Sequence, residues 1–256
     1  MLDFLRRLRS RPSLTYAPNG WATTVDDPRG YDTPEVADVY RSKWSEHVTG
    51  LGADGAALGS GSVLTHNVYV TYAYVLTRVA LTSSRPLSIL DYGASTGHYA
   101  QLARHVLPDV PFTYHAFDVP HVAAMGREVN PAVEWMADER DIGTDYDLIM
   151  LSGSLQCLPD WRAVLSRLAP RTRWLYVARL PVVKTGPGFV GLQQVYGTTM
   201  LFGVANETEL LGHLAGLGMA CVRSFVSEGS MPIRHAPGGV IPQSRSFLLR
   251  ATAPRS

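Results

Sequence analysis

Short apolar runs alternate with longer amphipathic stretches from about residue 86 to the end of the chain. The short runs are rich in aliphatic and aromatic residues, which is typical of buried strands, and the longer stretches are typical of helices. Before residue 86 the pattern predicts helices only. One begins at Thr33 and Pro34, with Thr33 as the N-cap, and a second begins near Ser62. The predicted strands span 87–91, 112–118, 133–136, 148–151, 174–178, 220–226 and 246–251.

The order of these elements predicts an α/β fold. Five strands alternate with helices, which indicates a mostly parallel, doubly wound sheet. No helix separates the runs 220–226 and 246–251, so we expect these two strands to pair antiparallel as a C-terminal hairpin. A chain of 256 residues suits one such domain plus an extension. We expect residues 1–85 to form a helical N-terminal cap and residues 86–256 to form the core.

A turn with two glycines follows the first of these strands. Leu87 to Leu90 is the buried strand, Asp91 stands at its carboxyl end, and Gly93 and Gly97 lie in the turn before a helix. Glycine adopts positive φ and has no Cβ, so the backbone can approach a ligand closely here. The helix behind the turn presents unpaired N–H groups and the positive end of its dipole. The turn therefore predicts a nucleotide-type ligand at the carboxyl edge of a parallel sheet.

The order of residues in this turn argues against a dinucleotide. A dinucleotide-binding turn has the pattern G-x-G-x-x-G, whereas here Asp91 precedes a G-x-x-x-G turn. Asp91 would repel a pyrophosphate and would hold a ligand that carries an amino group. This order of residues resembles motif I of the class I S-adenosylmethionine (SAM) methyltransferases. Asp118 follows the next strand, about 20 residues after Gly97, where a carboxylate accepts from both hydroxyls of a ribose. Asp118 serves NAD and SAM equally, and Asp91 favours SAM. An isolated turn of this kind is usually an ordinary connection, so the argument depends on all these elements together.

The resemblance to the class I SAM-dependent methyltransferases extends over most of the chain. The sequence is similar to a bacterial family of class I methyltransferases whose substrates are mostly unassigned and which are often linked to glycan or natural-product biosynthesis. It departs from that family at Ala94, where members often carry a further glycine, which alters the shape of the turn. The matching stretches are Gly30-Tyr31-Asp32, Ile89-Leu90-Asp91-Tyr92-Gly93, Leu151-Ser152-Gly153-Ser154-Leu155-Gln156-Cys157-Leu158, Arg179-Leu180-Pro181 and Gln193 to Tyr196.

The resemblance implies a class I methyltransferase (Rossmann-like) fold, SAM as the cofactor, and methyl transfer to a small-molecule acceptor. We expect transfer to oxygen, in a hydroxyl or a carboxylate. Two alternatives stay open: another class I SAM or nucleoside enzyme, such as an aminopropyl transferase, and a catalytically silent SAM-binding partner subunit. Asp138 follows the third strand and is expected either to accept from the adenine amino group or to be a solvated turn acid. The expected cofactor-binding residues are Asp91, Tyr92, Gly93, Ala94, Gly97, Asp118, Val119, Asp138, Ser152 and Gly153.

The expected acceptor side lies beyond the fourth and fifth strands. Gln156 follows the fourth strand, where class I enzymes place residues beside the methyl group, although a loop amide bonded to its own backbone fits equally well. Arg179 stands at the end of the predicted fifth strand and suits either an anionic acceptor or a salt bridge within the fold. A hydroxyl acceptor needs a general base, whereas a carboxylate needs none. The candidate bases, each with a purely structural alternative, are His66, His98 and His235. Residues 182–205 are expected to form a long connection that acts as a lid.

Composition and charge argue against other classes. The formal net charge is +1, with the charges mixed along the sequence, so no basic surface for nucleic acid is expected. Two cysteines, Cys157 and Cys221, indicate neither a disulfide framework nor a metal site. No apolar run reaches the roughly 20 residues of a membrane helix, and residues 1–11 predict a basic helix that is peripheral or touches a membrane surface. We expect a cytoplasmic protein whose partner is a small-molecule acceptor, with a homodimer left open.

Overall fold

The predicted helices and strands are present in the predicted order, and three further strands lie among them in the part of the chain that the structure describes. The computed structural model describes residues 14–25, 29–51, 63–83 and 85–253, so the basic segment expected at residues 1–11 lies outside the described residues. The helices are α1 (Pro34–Leu51), α2 (Val63–Ala80), α3 (His98–Val106), α4 (Pro120–Val129), α5 (Trp161–Leu168) and α6 (Glu207–Gly216). The strands are β1 (Leu14–Tyr16), β2 (Leu87–Tyr92), β3 (Phe112–Phe117), β4 (Glu134–Met136), β5 (Tyr146–Ser152), β6 (Thr172–Val183), β7 (Phe189–Val195), β8 (Thr198–Asn206), β9 (Met219–Ser230) and β10 (Gln243–Ala251). No helix in the described part of the chain is both long and apolar enough to cross a membrane.

One mixed sheet contains all the described strands, and its central part has the predicted topology. The order across this part is β4-β3-β2-β5-β6-β10-β9. The strands from β4 to β6 are parallel, β10 is antiparallel to β6, and β9 is antiparallel to β10. The predicted fold class, with its antiparallel C-terminal pair, is confirmed. The carboxyl ends of β2, β3, β5 and β6 therefore lie along one edge.

Both faces of the sheet are covered by helices, which explains why the central strands β2, β5 and β6 are buried at almost every position. Successive residues of β2 point to opposite faces: Ile89 packs in the cluster that contains α2 and α3, and Leu90 packs in the cluster that contains α5 and α6. Tyr72 and Leu76 of α2 are fully buried in the first cluster. Helix α1 packs separately, against α4 and the end of the β7–β8 hairpin.

The long connection expected at residues 182–205 begins with the end of β6 and then contains a β-hairpin, which the sequence analysis did not predict. Strands β7 and β8 pair antiparallel, and the two-residue turn between them consists of Tyr196 and Gly197. Both have positive φ, 54° and 81°, which is typical of a type I′ turn. Strand β1 pairs antiparallel with β7. The N-terminal extension thus contributes a strand as well as helices, which corrects the purely helical prediction.

Strand β6 is longer than the predicted run 174–178, so Arg179 lies inside the strand and not at its end. Ala178 and Arg179 together oppose the single residue Ser246 of β10, which is a β-bulge. The backbone of Arg179 has φ +57°, and its N–H donates to Oγ of Ser246 at 3.2 Å. The bulge changes the direction of β6 at the carboxyl edge of the sheet.

Candidate active site

The glycine turn after β2 packs directly on the turn after β5. Gly93 has φ +83°, and a Cβ at this position would lie 2.3 Å from Cβ of Ser154. Gly97 has φ +67° and precedes α3, and a Cβ there would lie 3.0 Å from the side chains of Asn130 and Trp135. Both positions therefore require glycine for two reasons, the positive φ and the close approach of neighbouring groups.

The carboxylate of Asp118 connects two of the loops at this edge. Its Oδ2 accepts from the backbone N–H of Ser95 at 2.7 Å, and its Oδ1 accepts from the backbone N–H of Val119 at 2.8 Å. The pKa of Asp118 is raised to about 6. Burial is the main cause, the two hydrogen bonds offset part of it, and the nearby Asp32 adds to it. Each carboxylate oxygen has a second lone pair for a ligand donor.

Asp91 lies deeper than Asp118. It is 1% exposed, and Oδ2 accepts from the hydroxyl of Tyr114 at 3.0 Å. Within the described residues no group donates to Oδ1, although that atom is buried. The pKa of Asp91 is raised to about 7. Burial is the main cause, the hydrogen bond from Tyr114 offsets part of it, and the charge of Asp118 adds to it. The sequence expectation of an acceptor near the glycine turn fits this orphan oxygen, but Asp91 lies beneath the turn and does not line the cavity described next.

A cavity of about 230 Å³ lies between the ends of β2, β3 and β5. Its wall is mostly apolar and aromatic, and Asp118 is the one charged residue among the described residues that form it. An apolar pocket with a few polar groups is the usual form of a small-ligand site. The residues that line it are Tyr31, Tyr40, Tyr92, Gly93, Phe117, Asp118, Val119, Gly153, Ser154, Cys157 and Leu158.

Asp32 holds the segment before α1 beside this cavity by binding His121 of α4. The Oδ1 atom of Asp32 accepts from the backbone N–H of His121 at 2.9 Å and lies 2.8 Å from Nδ1 of the same residue. His121 is in the first turn of α4, so Asp32 caps this helix from a distant part of the chain. The neighbouring residue, Tyr31, is thereby held against the cavity. Burial raises the pKa of Tyr31, and nearby Cys157 and Tyr196 raise it further.

The tip of the β7–β8 hairpin completes the cover. The ring of Tyr196 packs edge-on against Tyr40 of α1, with centroids 5.3 Å apart. Nζ of Lys43 lies 4.5 Å from the centroid of the Tyr196 ring and 3.4 Å from its hydroxyl. The side chain of Gln193 donates to the hydroxyl of Tyr31 at 3.0 Å. The hairpin tip therefore packs against Tyr40 and Tyr31, which line the cavity, and does not line it itself.

Gln156 and Arg179 approach each other over Gly153. A Cβ on Gly153 would lie 3.6 Å from Nη1 of Arg179 and 3.7 Å from Nε2 of Gln156. Oε1 of Gln156 is buried, and no group in the described residues donates to it. Arg179 itself is exposed. The structure thus brings together the two residues that the sequence assigned to the acceptor side.

Two tyrosines, Tyr69 and Tyr99, lie within electrostatic range of Arg179. Burial raises the pKa of Tyr69 and of Tyr99, and the positive charge of Arg179 lowers both. The hydroxyl of Tyr99 lies 3.0 Å from Oγ of Ser152, the last residue of β5.

The three candidate histidines lie in different places, and none of them lines the 230 Å³ cavity. His98 opens α3, and its ring packs on that of the neighbouring residue Tyr99 with centroids 4.3 Å apart. His66 is exposed near the start of α2. His235 is exposed in the loop before β10, next to Arg234, whose backbone pairs with β1.

Of the other expected cofactor residues, Asp138 stands apart. Its carboxylate is bound by the side chain and the backbone N–H of Arg140, and these bonds lower the pKa of Asp138 to about 2. It does not line the cavity, whereas Tyr92, Val119 and Gly153 do. Ala94 is buried, and its backbone N–H donates to the carbonyl of Phe117 at 3.2 Å.

Known proteins share this architecture. Residues 64–176 match a family model described as a methyltransferase domain. A 1,6-didemethyltoxoflavin-N1-methyltransferase from Burkholderia thailandensis, solved with 1,6-didemethyltoxoflavin and S-adenosylhomocysteine, superposes with a TM-score of 0.51 and 18% identity. The match covers 96% of this chain and 98% of that one. A Galdieria sulphuraria protein described as a sarcosine dimethylglycine methyltransferase gives a TM-score of 0.53 and 12% identity, over 73% of this chain and 86% of that one. No curated protein matches the sequence.

The chain has the class I methyltransferase fold. The resemblance found in the sequence and the fold class that it implied are confirmed. It is a fold of SAM-dependent enzymes, which agrees with the cofactor expected from the sequence.

The sequence predicted a cap from residues 1–85 and a lid from residues 182–205, but it did not reveal which residues of these segments contact the carboxyl edge of the sheet. Tyr31 and Asp32 lay in a stretch recognised as family-like, but nothing local indicated that they contact α4. Tyr40 was one of several aromatic residues on a predicted helix. The hairpin had a usable signal, because Tyr196-Gly197 between β-branched and amide residues fits a two-residue turn.

Proposed function

We propose that this protein is a SAM-dependent methyltransferase that acts at oxygen on a small-molecule acceptor. The observation that carries the proposal is the position of Asp118. It is the charged residue in the described wall of an apolar cavity, at the end of the strand next to the glycine turn. A carboxylate at this place suits the two hydroxyls of a ribose, and the apolar wall suits an adenine ring.

The remaining residues fit the rest of the cofactor. The orphan Oδ1 of Asp91 lies beneath the glycine turn, where a group with a donor hydrogen would satisfy it. Tyr31 and Tyr40 line the nucleoside end and exclude water from it, and Tyr196 supports Tyr40 from behind. When bound, SAM supplies an activated methyl group, so the chain has to orient the acceptor and keep water out. Asp138 joins the site only if the adenine amino group displaces Arg140.

The acceptor side supports an oxygen nucleophile. Gln156 and Arg179 meet over Gly153, next to Ser152 at the end of β5. An oxygen that is already anionic needs no general base, and a guanidinium holds such a group well. For a neutral hydroxyl, His98, whose ring packs on that of Tyr99, is the candidate base. We further propose that the N-terminal residues 1–85 act as the cap of the site, and that the protein works in the cytoplasm.

The test is turnover of SAM. The purified chain is incubated with labelled SAM and matched sets of hydroxyl, carboxylate and amine acceptors, and S-adenosylhomocysteine and the methylated atom are identified. Transfer to an oxygen is the expected result. Transfer only to nitrogen would overturn the proposed oxygen acceptor, and SAM binding without any turnover would favour the silent partner subunit. Absence of SAM binding would overturn the proposed function as a whole.

A further inference from the structure

We infer that Arg179 and Gln156 form a carboxylate-binding subsite for the methyl acceptor, separate from the nucleoside cavity. The inference deepens the proposed function and rests on it for the identity of the second ligand. Its chemical content is that the acceptor is a small carboxylate with a hydroxyl or amino group beside the carboxylate.

The position of Arg179 separates it from the nucleoside end. Asp118 follows β3 and Arg179 lies in β6, and β2 and β5 run between these two strands. Three strand spacings correspond to about 14 Å. Neither Arg179 nor Gln156 lines the nucleoside cavity, whereas Gly153, over which they meet, does. The two side chains therefore lie on the far side of Gly153 from Asp118.

The backbone of Arg179 is held in an uncommon conformation. A residue with a Cβ rarely adopts φ +57°, and here the bulge against Ser246 maintains it. Oγ of Ser246 accepts the N–H of Arg179 and lies 2.5 Å from Oγ of Ser227, so the supporting bond is itself buried and oriented. A retained conformation of this kind fixes the direction from which the guanidinium reaches the carboxyl edge.

The groups around the guanidinium favour an anion. Nε2 of Gln156 supplies a further donor near Arg179, because both lie within 4 Å of the place that a Cβ on Gly153 would occupy. A planar guanidinium matches a carboxylate with two parallel hydrogen bonds. The buried, orphan Oε1 of Gln156 needs a donor, which a hydroxyl or an amine next to the carboxylate provides.

The experiment uses the whole chain saturated with S-adenosylhomocysteine. Salicylate and lactate are titrated by calorimetry and compared with salicylamide and lactamide, which have the same shape without the charge. We expect the carboxylates to bind at least tenfold more tightly than their amides. Arg179→Ala should weaken carboxylate binding at least tenfold and leave S-adenosylhomocysteine affinity within twofold.

Two further variants keep the result interpretable. Arg179→Asn removes the charge but tolerates a left-handed backbone, so it separates loss of the guanidinium from loss of the bulge. Arg223→Ala removes an exposed arginine from β9, outside the site, and should change neither affinity.

Several outcomes would overturn the inference. Equal binding of amides and carboxylates would do so, as would no binding of either carboxylate. The inference would also fail if Arg179→Ala weakened the binding of S-adenosylhomocysteine but not that of methylthioadenosine, which lacks a carboxylate. Arg179 would then bind the carboxylate of the cofactor and not that of the acceptor. If the wild-type chain bound no S-adenosylhomocysteine, the proposed function would fail, and the same titrations without cofactor would still decide the carboxylate subsite.

Discussion

Oδ2 of Asp118 accepts the backbone N–H of Ser95 at 2.7 Å, so the end of β3 and the glycine turn after β2 form one unit. The side chain that orders the turn is also the one proposed to bind the ribose. A ligand at Asp118 is therefore positioned relative to the turn by a single carboxylate.

Replacing this carboxylate should weaken the binding of the cofactor. We expect Asp118→Ala to lower SAM affinity by roughly 1–3 kcal/mol, because both ribose hydroxyls and two backbone N–H groups lose their acceptor. Calorimetric titration of SAM measures the change. Asp109→Ala, which removes an exposed aspartate from the turn before β3, serves as the control and should have no effect. An affinity within twofold of the wild type would show that Asp118 is not the ribose acid.

A side chain at Gly93 would be destabilising for two reasons, the positive φ and the close contact with Ser154. A second glycine separates these two effects. Gly93→Ala introduces a Cβ 2.3 Å from Cβ of Ser154 at φ +83°, whereas Gly186 has φ +75° and no atom within 4 Å of a Cβ. Gly186→Ala should therefore cost only the backbone term, about 1–2 kcal/mol. Gly93→Ala should cost clearly more and should also impair SAM binding. Urea denaturation compares the two variants, and equal losses of stability would argue against tight packing of the two turns.

Buried Asp91 predicts a particular dependence of stability on pH. Its pKa is raised to about 7, above the value near 3.9 of an unfolded aspartate. The folded chain therefore binds more protons than the unfolded chain between about pH 4 and pH 7. The stabilising contribution is fully present below about pH 4 and is lost as the pH rises through 7.

Asp91→Asn isolates this contribution, because asparagine keeps an acceptor for Tyr114 and does not titrate. The free energy of unfolding of the wild type minus that of the variant should fall between about pH 4 and pH 7 and level off above pH 7. Asp118, with its pKa raised to about 6, adds a similar fall that both proteins share. A difference that stays constant with pH would contradict the raised pKa of Asp91.

The tip of the hairpin should control escape of the cofactor. Tyr196→Ala removes the ring that packs on Tyr40 and lies under Lys43. We expect S-adenosylhomocysteine to dissociate at least tenfold faster, about 1.4 kcal/mol, as measured by stopped-flow fluorescence. Tyr74→Ala is the control, because Tyr74 makes a similar edge-on contact with Phe225 on the other side of the fold. Equal effects of the two changes would mean that Tyr196 does not form part of the cover.

The parts of the site that the sequence predicted are those in which a signal lies close along the chain. Asp91, the two glycines and Asp118 sit at the ends of periodic apolar runs, so their meeting at one edge follows from parallel strands. The hydrogen bond between Asp32 and His121 joins segments that are far apart in sequence, and no local sequence pattern predicts it. Arg179 was placed at the right edge but in the wrong local structure, because the bulge depends on the register of β10 against β6.

The measurement that tests the central claim most directly is calorimetric titration of the purified chain with SAM, S-adenosylhomocysteine and NAD. The account predicts that SAM and S-adenosylhomocysteine bind and that NAD does not, because Asp91 and the G-x-x-x-G turn oppose a pyrophosphate. Binding of NAD without any response to SAM would contradict it.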